Sequence, residues 1–143
     1  MADPTEMPPM APYLTIKDAG AAIEFYKKAF GATENFRLPA EDGKRLMHAD
    51  ITIHGARLLM SDDFPEYCEH EKVGAPTQDN LAGVAVSLHF NNPADVDAVY
   101  KRAVAAGAKG TTEPSDMFWN ARFATLIDPF NHRWILNAPL PPK

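Results

Sequence analysis

Residues 26–30 read YKKAF and residues 100–104 read YKRAV, two near-copies 74 positions apart in a chain of 143 residues. Each copy lies inside a longer segment with helical spacing. In AGAAIEFYKKAFG, Ala19 to Gly31, the apolar residues Ala22, Ile23, Tyr26, Ala29 and Phe30 recur three and four positions apart, with Glu24, Lys27 and Lys28 on the other side. In NPADVDAVYKRAVAAGA, Asn92 to Ala108, the stripe is Val96, Val99, Ala103 and Val104. Asn92 suits an N-cap, Pro93 the first turn, and Asp95 the positive end of the helix dipole. Gly31 and Gly107 can end the two helices, because glycine accepts the left-handed conformation.

Outward from the helices the match continues. A strand candidate, YLTIKD at 13–18, precedes the first helix, and AVSLHFN at 85–91 precedes the second, with Asp18 opposite Asn92. Ala105 and Ala106 then add two residues and the offset becomes 76: Gly31 and Ala32 match Gly107 and Ala108, MHADI at 47–51 falls opposite FATLI at 123–127, and HGARL at 54–58 falls opposite FNHRW at 130–134. The chain therefore reads as one α+β domain spanning 1–143, built from two β-α-β-β-β modules at about 13–62 and 82–138. Neither module has more than one short amphipathic helix to cover its strands, so pairing them offers a shared core. Gly55 falls opposite Asn131, and both residue types accept positive φ. DPFN at 128–131 is then a turn, followed by a strand that starts at His132 or Arg133 and is anchored by Trp134.

Composition narrows the function classes. The net charge is -5, and the 14 Lys and Arg residues are scattered, so no nucleic-acid footprint is present. No apolar run approaches the roughly 20 residues that cross a bilayer. One cysteine, Cys68, excludes an intramolecular disulfide framework, and MADPTEMPPM lacks the basic and apolar parts of a signal segment. A cytoplasmic location is the expectation.

Chemistry has few local motifs to rest on: there is no phosphate loop, dinucleotide fingerprint, zinc-type cysteine pair or HExxH. The strand RLMHADITIH, 45–54, alternates, with Met47, Ala49, Ile51 and Ile53 on one side and His48, Asp50 and Thr52 on the other. That polar set either faces solvent or lines a concave pocket. Sharing a strand face, His48 and Asp50 are candidates to orient or deprotonate a polar group, or to supply two metal ligands. His89 shares a face with Ser87 and Ala85, as a strand-end residue or a pocket residue. EPSDMFWNAR, 113–122, reads as a loop whose Met117, Phe118 and Trp119 need a contact, as pocket wall, core closure or subunit contact. Arg122 is either a paired donor for a carboxylate or phosphate, or an outward strand residue. His132 falls opposite Ala56, so the hairpin alone does not require it; it is a candidate to bond the FWNAR loop or face a pocket. SDDFPEYCEHEK reads as a solvated excursion anchored by Phe64 and Tyr67, and Cys68 with His70 lacks a third orienting group for nucleophilic catalysis.

Together, AAIEFYKKAFGA, MHADITI, SDDFPE, FWNARFATLIDPFNHRW and the duplication resemble the vicinal-oxygen-chelate superfamily, in particular its PhnB-like branch within the glyoxalase and bleomycin-resistance fold, from about Tyr13 to Asn137. The resemblance implies paired modules whose curved mixed sheets surround a cavity, and a homodimer. Many PhnB-like relatives would have glycine where this chain has Asn120, Ala124 and Asn131. The ligand pattern of the metal-dependent glyoxalases falls on Ala11, about Leu59, Gly83 and Ile135, none of which has a donor side chain. The expectation is a small-molecule-binding protein of this fold with no metal or other cofactor and an unresolved activity. Its ligand would be a small polar molecule in a pocket drawn from His48, Asp50, His89, Trp119, Arg122 and His132. The alternative is a glyoxalase-like lyase or dioxygenase-like enzyme using a non-standard divalent-metal site, which convergence of three of His48, Asp50, His89 and His132 would favour. A purely structural dimer module is a third reading.

Overall fold

The computed structural model describes residues 6–67, 70–71 and 73–142. The chain forms two compact units that meet in sequence between Pro76 and Thr77. The first holds β1 (Tyr13–Ile16), α1 (Ala19–Phe30), β2 (Thr33–Pro39), β3 (Leu46–Ile53) and β4 (Ala56–Asp62), then a single 3-10 turn at Pro65–Tyr67. The second holds β5 (Val86–His89), α2 (Pro93–Ala106), β6 (Lys109–Met117), β7 (Ala121–Ile127) and β8 (Arg133–Pro139). Each is a β-α-β-β-β module with a mixed four-stranded sheet, ordered β1-β4-β3-β2 and β5-β8-β7-β6. In both, the strand before the helix pairs parallel with the last strand, and all other pairings are antiparallel.

Local chemistry explains the helix ends. Asp18, itself at φ 70, accepts the Ala21 N–H with its side chain, and Gly31 closes α1 at φ 70 with its N–H on the Lys27 carbonyl. The Asp62 carboxylate, buried at the end of β4, takes the N–H groups of Asp18 and Ala19 on one oxygen, both at 2.9 Å, and that of Leu46 on the other. One side chain thus ties β4 to the start of α1 and the start of β3. Asn92 caps α2 through the Ala94 N–H, Pro93 occupies its first turn, and Gly107 ends it at φ 124.

Each helix packs on its own sheet, α1 against β3 and β4, α2 against β6, β7 and β8. Under α1 lie Leu14, Ile16, Ala49, Ile51, Leu58 and Met60; in the second module Ala124, Leu126, Trp134 and Leu136 are buried. Burying each of the larger side chains contributes about 1.5–3 kcal/mol. Two residues of the expected apolar sets lie elsewhere. Met47 is 44% and Val104 41% exposed, because Met47 stands at the hairpin end of β3, and the inward stripe of α2 runs through Val96 and Ala103, both fully buried.

The repeat register also needs one correction. Asp50 pairs with Leu59 and Thr125 with Ile135, while Leu59 and Ile135 are 76 apart, so β3 and β7 correspond at an offset of 75 rather than 76. The cause is the hairpin. Ile53 pairs with Ala56 around His54 and Gly55, whereas Asp128 bonds His132 around Pro129, Phe130 and Asn131, one residue more. His48 is therefore the counterpart of Phe123, not of Ala124. Gly55 (φ 80) and Asn131 (φ 70) remain equivalent, and the second, three-residue turn is of the kind that needs a left-handed last position.

A second correction concerns EPSDMFWNAR. Glu113 to Met117 belong to β6, and only Phe118, Trp119 and Asn120 connect it to β7. Asn120 has φ 62, which accounts for a glycine-like position there.

Candidate functional site

The alternation of β3 divides the first sheet into two faces. Residues opposite each other on neighbouring strands share a face, so Tyr13, Leu59, Asp50 and Phe36 form one row across β1, β4, β3 and β2. That row, with His48, Thr52, Arg57 and Ser61, lies on the side away from α1, since the alternating residues are those buried beneath the helix. The corresponding rows of the second sheet are Ser87, Ile135, Thr125 and Thr112, then His89, Asn137, Phe123 and Ser115.

On the helix-free face of the first module, the His48 Nδ1 and the Tyr13 hydroxyl are 3.0 Å apart. Their rings are 5.6 Å apart, and Phe36 lies 6.2 Å from His48 on its other flank. Tyr13 and Phe36 are 51% and 42% exposed, so the imidazole sits between two aromatic rings that are open to a ligand. Burial pushes the Tyr13 phenol above its ordinary value, against a smaller lowering by the nearby Ser61 hydroxyl. The phenol is therefore protonated at neutral pH.

Asp50, the other half of the expected pair, is committed elsewhere. It is fully buried and forms a two-pronged ion pair with Arg57, Nε to Oδ1 at 2.7 Å and Nη2 to Oδ2. Asn35, at a bulge in β2, donates to Asp50 Oδ1 at 3.1 Å and to Thr52 Oγ1 at 2.8 Å. Arg57 also donates to the Glu6 carbonyl. Burial opposes ionisation of Asp50, but the hydrogen bonds from Arg57 and Asn35 outweigh it and hold the carboxyl below its ordinary value. Asp50 is a fixed anion that organises the sheet face beside His48. Asn35 and Arg57, which complete this network, carry no local sequence signal, because a bulge and a cross-strand register bring them there.

In the second module, His89 ends β5 exposed, its Nε2 2.9 Å from Ser87 Oγ. Trp119 is 47% exposed and packs edge-on against Phe123, the neighbour of Asn137 and His89 in the row. Arg122 points to the other face, toward α2, bonding Asp97 at 2.9 Å and Asp116 at 3.0 Å. Carboxylates thus hold two of its five N–H donors and balance its charge. His132 is buried in the β7–β8 turn. The turn itself is held by Asp128, whose Oδ1 accepts from the Phe130 and His132 N–H groups and whose Oδ2 accepts from Trp134 Nε1, at 2.8, 3.0 and 2.8 Å. Sequence reading singled out His132 and passed over Asp128, whose role emerges only when Trp134 folds back over the turn.

Clefts open at the two hairpin ends, one of about 490 Å³ beside Leu38, Asp42, Arg45 and Phe64, the other of about 570 Å³ beside Asp116, Phe118 and Leu140. Neither is lined by the candidate residues. In the first, Arg45 lies 4.2 Å over the Phe64 ring and pairs with Asp42 and Glu66. Phe64 stacks with Tyr67, which is 74% exposed and so not an anchor. Cys68, considered above with His70, lies outside the described residues.

A tandem pair of β-α-β-β-β modules, each with a polar and aromatic helix-free face, defines a class of small α+β proteins. The chain belongs to the glyoxalase/bleomycin resistance protein/dioxygenase superfamily, whose family model matches residues 8–136. Uncharacterised proteins of Mycobacterium bovis and Mycobacterium tuberculosis are 40% identical over 133 residues, 93% of this chain and 84% and 75% of theirs. Among solved structures, a Pseudomonas aeruginosa protein superposes with a TM-score of 0.72 at 23% identity, covering 94% of this chain and 100% of that one. A PhnB protein of Bacillus cereus gives 0.69 at 16% identity, covering 92% and 99%. The fosfomycin resistance protein of Listeria monocytogenes, solved with Mn(II) and sulfate, gives 0.67 at 16% identity, covering 93% of each chain.

A divalent metal is implied for some members of this fold, and the donor set here does not fit one. Leu59 and Ile135 lie on the helix-free faces at the centres of β4 and β8, and Ala11 and Gly83 precede β1 and β5; all four side chains lack a donor. Among the described residues no three His, Cys, Asp or Glu side chains group as a metal ion requires.

Proposed function

We propose that the protein is a cytoplasmic, homodimeric binder of a small polar molecule that works without a metal ion. The observation that carries this reading is the helix-free face of the first module. There a histidine fixed by a tyrosine hydroxyl stands between two half-exposed aromatic rings, above a buried Asp50–Arg57 pair. Open aromatic surface with one placed polar group is the composition of a small-molecule site. Independence from metal is supported by Ala11, Leu59, Gly83 and Ile135, none of which offers a donor side chain where the family resemblance places its ligands. The dimer is supported by the exposed Leu38, Met47 and Phe118, which assembly would cover. The single cysteine accords with a cytoplasmic location.

Native mass spectrometry of gently purified protein tests the reading. A copurified small molecule should be present on the wild type and depleted in a His48→Ala variant of equal stability. A wild-type chain carrying no such mass, from cells of the source organism, would overturn it.

A further inference from the structure

The hairpins that join β2 to β3 and β6 to β7 hold equivalent places in the repeat, and their ends carry complementary surfaces. At the β6–β7 end Phe118 is 96% exposed, yet its ring is braced: it packs edge-on against Trp119 at 4.9 Å, and Trp119 packs edge-on against Phe123 at 5.3 Å. Asn120 turns the chain there at positive φ, and its carbonyl accepts the Leu140 N–H, so the residues after β8 run beside the same tip. Pro141 and Pro142 have no N–H with which to continue the ladder, and both are exposed. Phe118, Leu140 and the two prolines thus make an apolar knob, and Lys143 adds an ammonium next in sequence. The β2–β3 end holds the cleft of about 490 Å³. Leu38, Met47 and Tyr67 line it with exposed apolar surface, beside Phe64, on which Tyr67 stacks. Asp42 and Glu66 share the single cation of Arg45, and Glu41 has no ionic partner among the described residues, so these lining groups keep a surplus of negative charge.

Resting on the dimer reading above, we propose that these two surfaces form one interface between copies of this chain: the Phe118 knob of each copy seats in the hairpin-end cleft of the other, with Lys143 set against Glu41. A second copy is the occupant because every chain carries both halves of the contact, the apolar projection with its cation and the apolar recess with its surplus of carboxylates. One projection and one recess per chain could also link copies end to end. Reciprocal seating about a two-fold axis uses both at two copies and closes the assembly. Burial of the ring and prolines supplies the affinity. The charges supply the register, since two chains of net charge -5 repel one another except where opposite charges meet.

Analytical ultracentrifugation of the full chain over a dilution series, at low salt, tests the interface through the dimer dissociation constant. Phe118→Ser changes a side chain that faces solvent within one chain, so it leaves the fold intact, and it should raise that constant at least about tenfold. Glu41→Lys and Lys143→Glu should each raise it about three- to tenfold by placing like charges together, and the double variant, which restores the pair with its signs exchanged, should return to within about twofold of wild type. A constant unmoved by Phe118→Ser, a double variant no tighter than the single ones, or a mass that keeps growing beyond two chains overturns the proposal. A wild type that stays a single chain at every concentration sinks the dimer reading and this interface together, whereas a dimer indifferent to all these variants removes the interface alone.

Discussion

Asp128 shows how much a single buried carboxylate can hold. Its two oxygens serve two backbone donors and the Trp134 indole, so removing it takes the carboxylate from three donors, two of them buried. Asp128→Ala should lower unfolding free energy by about 3 kcal/mol, measured by urea denaturation, with Asp128→Asn costing clearly less because one carbonyl oxygen is kept. Asp50 makes a different demand. Its folded pKa is depressed, so its contribution is present above the unfolded value near 3.9 and is lost as pH falls through the folded one. The stability gap between wild type and Arg57→Met should therefore be full at pH 7 and shrink steadily in acid. A gap independent of pH would show that the pair is not charged. At this scale the sequence was informative about faces and silent about partners. Alternation placed His48 and Asp50 side by side, but that one meets a tyrosine and the other an arginine depends on strands β1 and β4, whose register no local pattern reveals.

Turns carry the main lesson for elements. Asn131 and Asn120 both adopt positive φ, at 70 and 62, and the first was legible as a turn from its place opposite Gly55. Asn131→Gly should leave stability near wild type, and Asn131→Val should cost about 1–2 kcal/mol in denaturant unfolding; equal effects would contradict the left-handed assignment. Helix boundaries were legible because Asn92, Pro93, Gly31 and Gly107 act through their immediate neighbours. The β3–β7 correspondence was not, because an alignment with no gap between MHADI and HGARL cannot sense the extra residue in the Asp128–His132 turn. That single residue reverses which face every side chain of the strand occupies. The length of β6 was missed for a related reason: Pro114, Ser115 and Asp116 read as loop residues by composition, yet in a sheet-edge strand, with β7 on one side only, such residues are tolerated.

For the molecule as a whole, duplication was the dominant signal, and it sufficed for architecture because each β-α-β-β-β unit reproduces one hydrogen-bonding plan. Function was less legible, since the fold is shared by proteins of different chemistry and activity resides in side chains grafted on it. No helix among the described residues is long and apolar enough to cross a membrane. Light scattering at several concentrations should give twice the chain mass of 15.7 kDa, the assembly expected to cover the exposed hairpin residues; a mass of one chain throughout would count against the dimer. The most direct test of the central claim is to purify the complex with its copurified small molecule, treat it with a chelator, and quantify metal and ligand on the same sample. Binding that rests on His48 and not on a metal predicts full ligand occupancy with less than about 0.1 equivalent of metal per chain. Ligand released by the chelator and recovered only when a divalent ion is restored would contradict it.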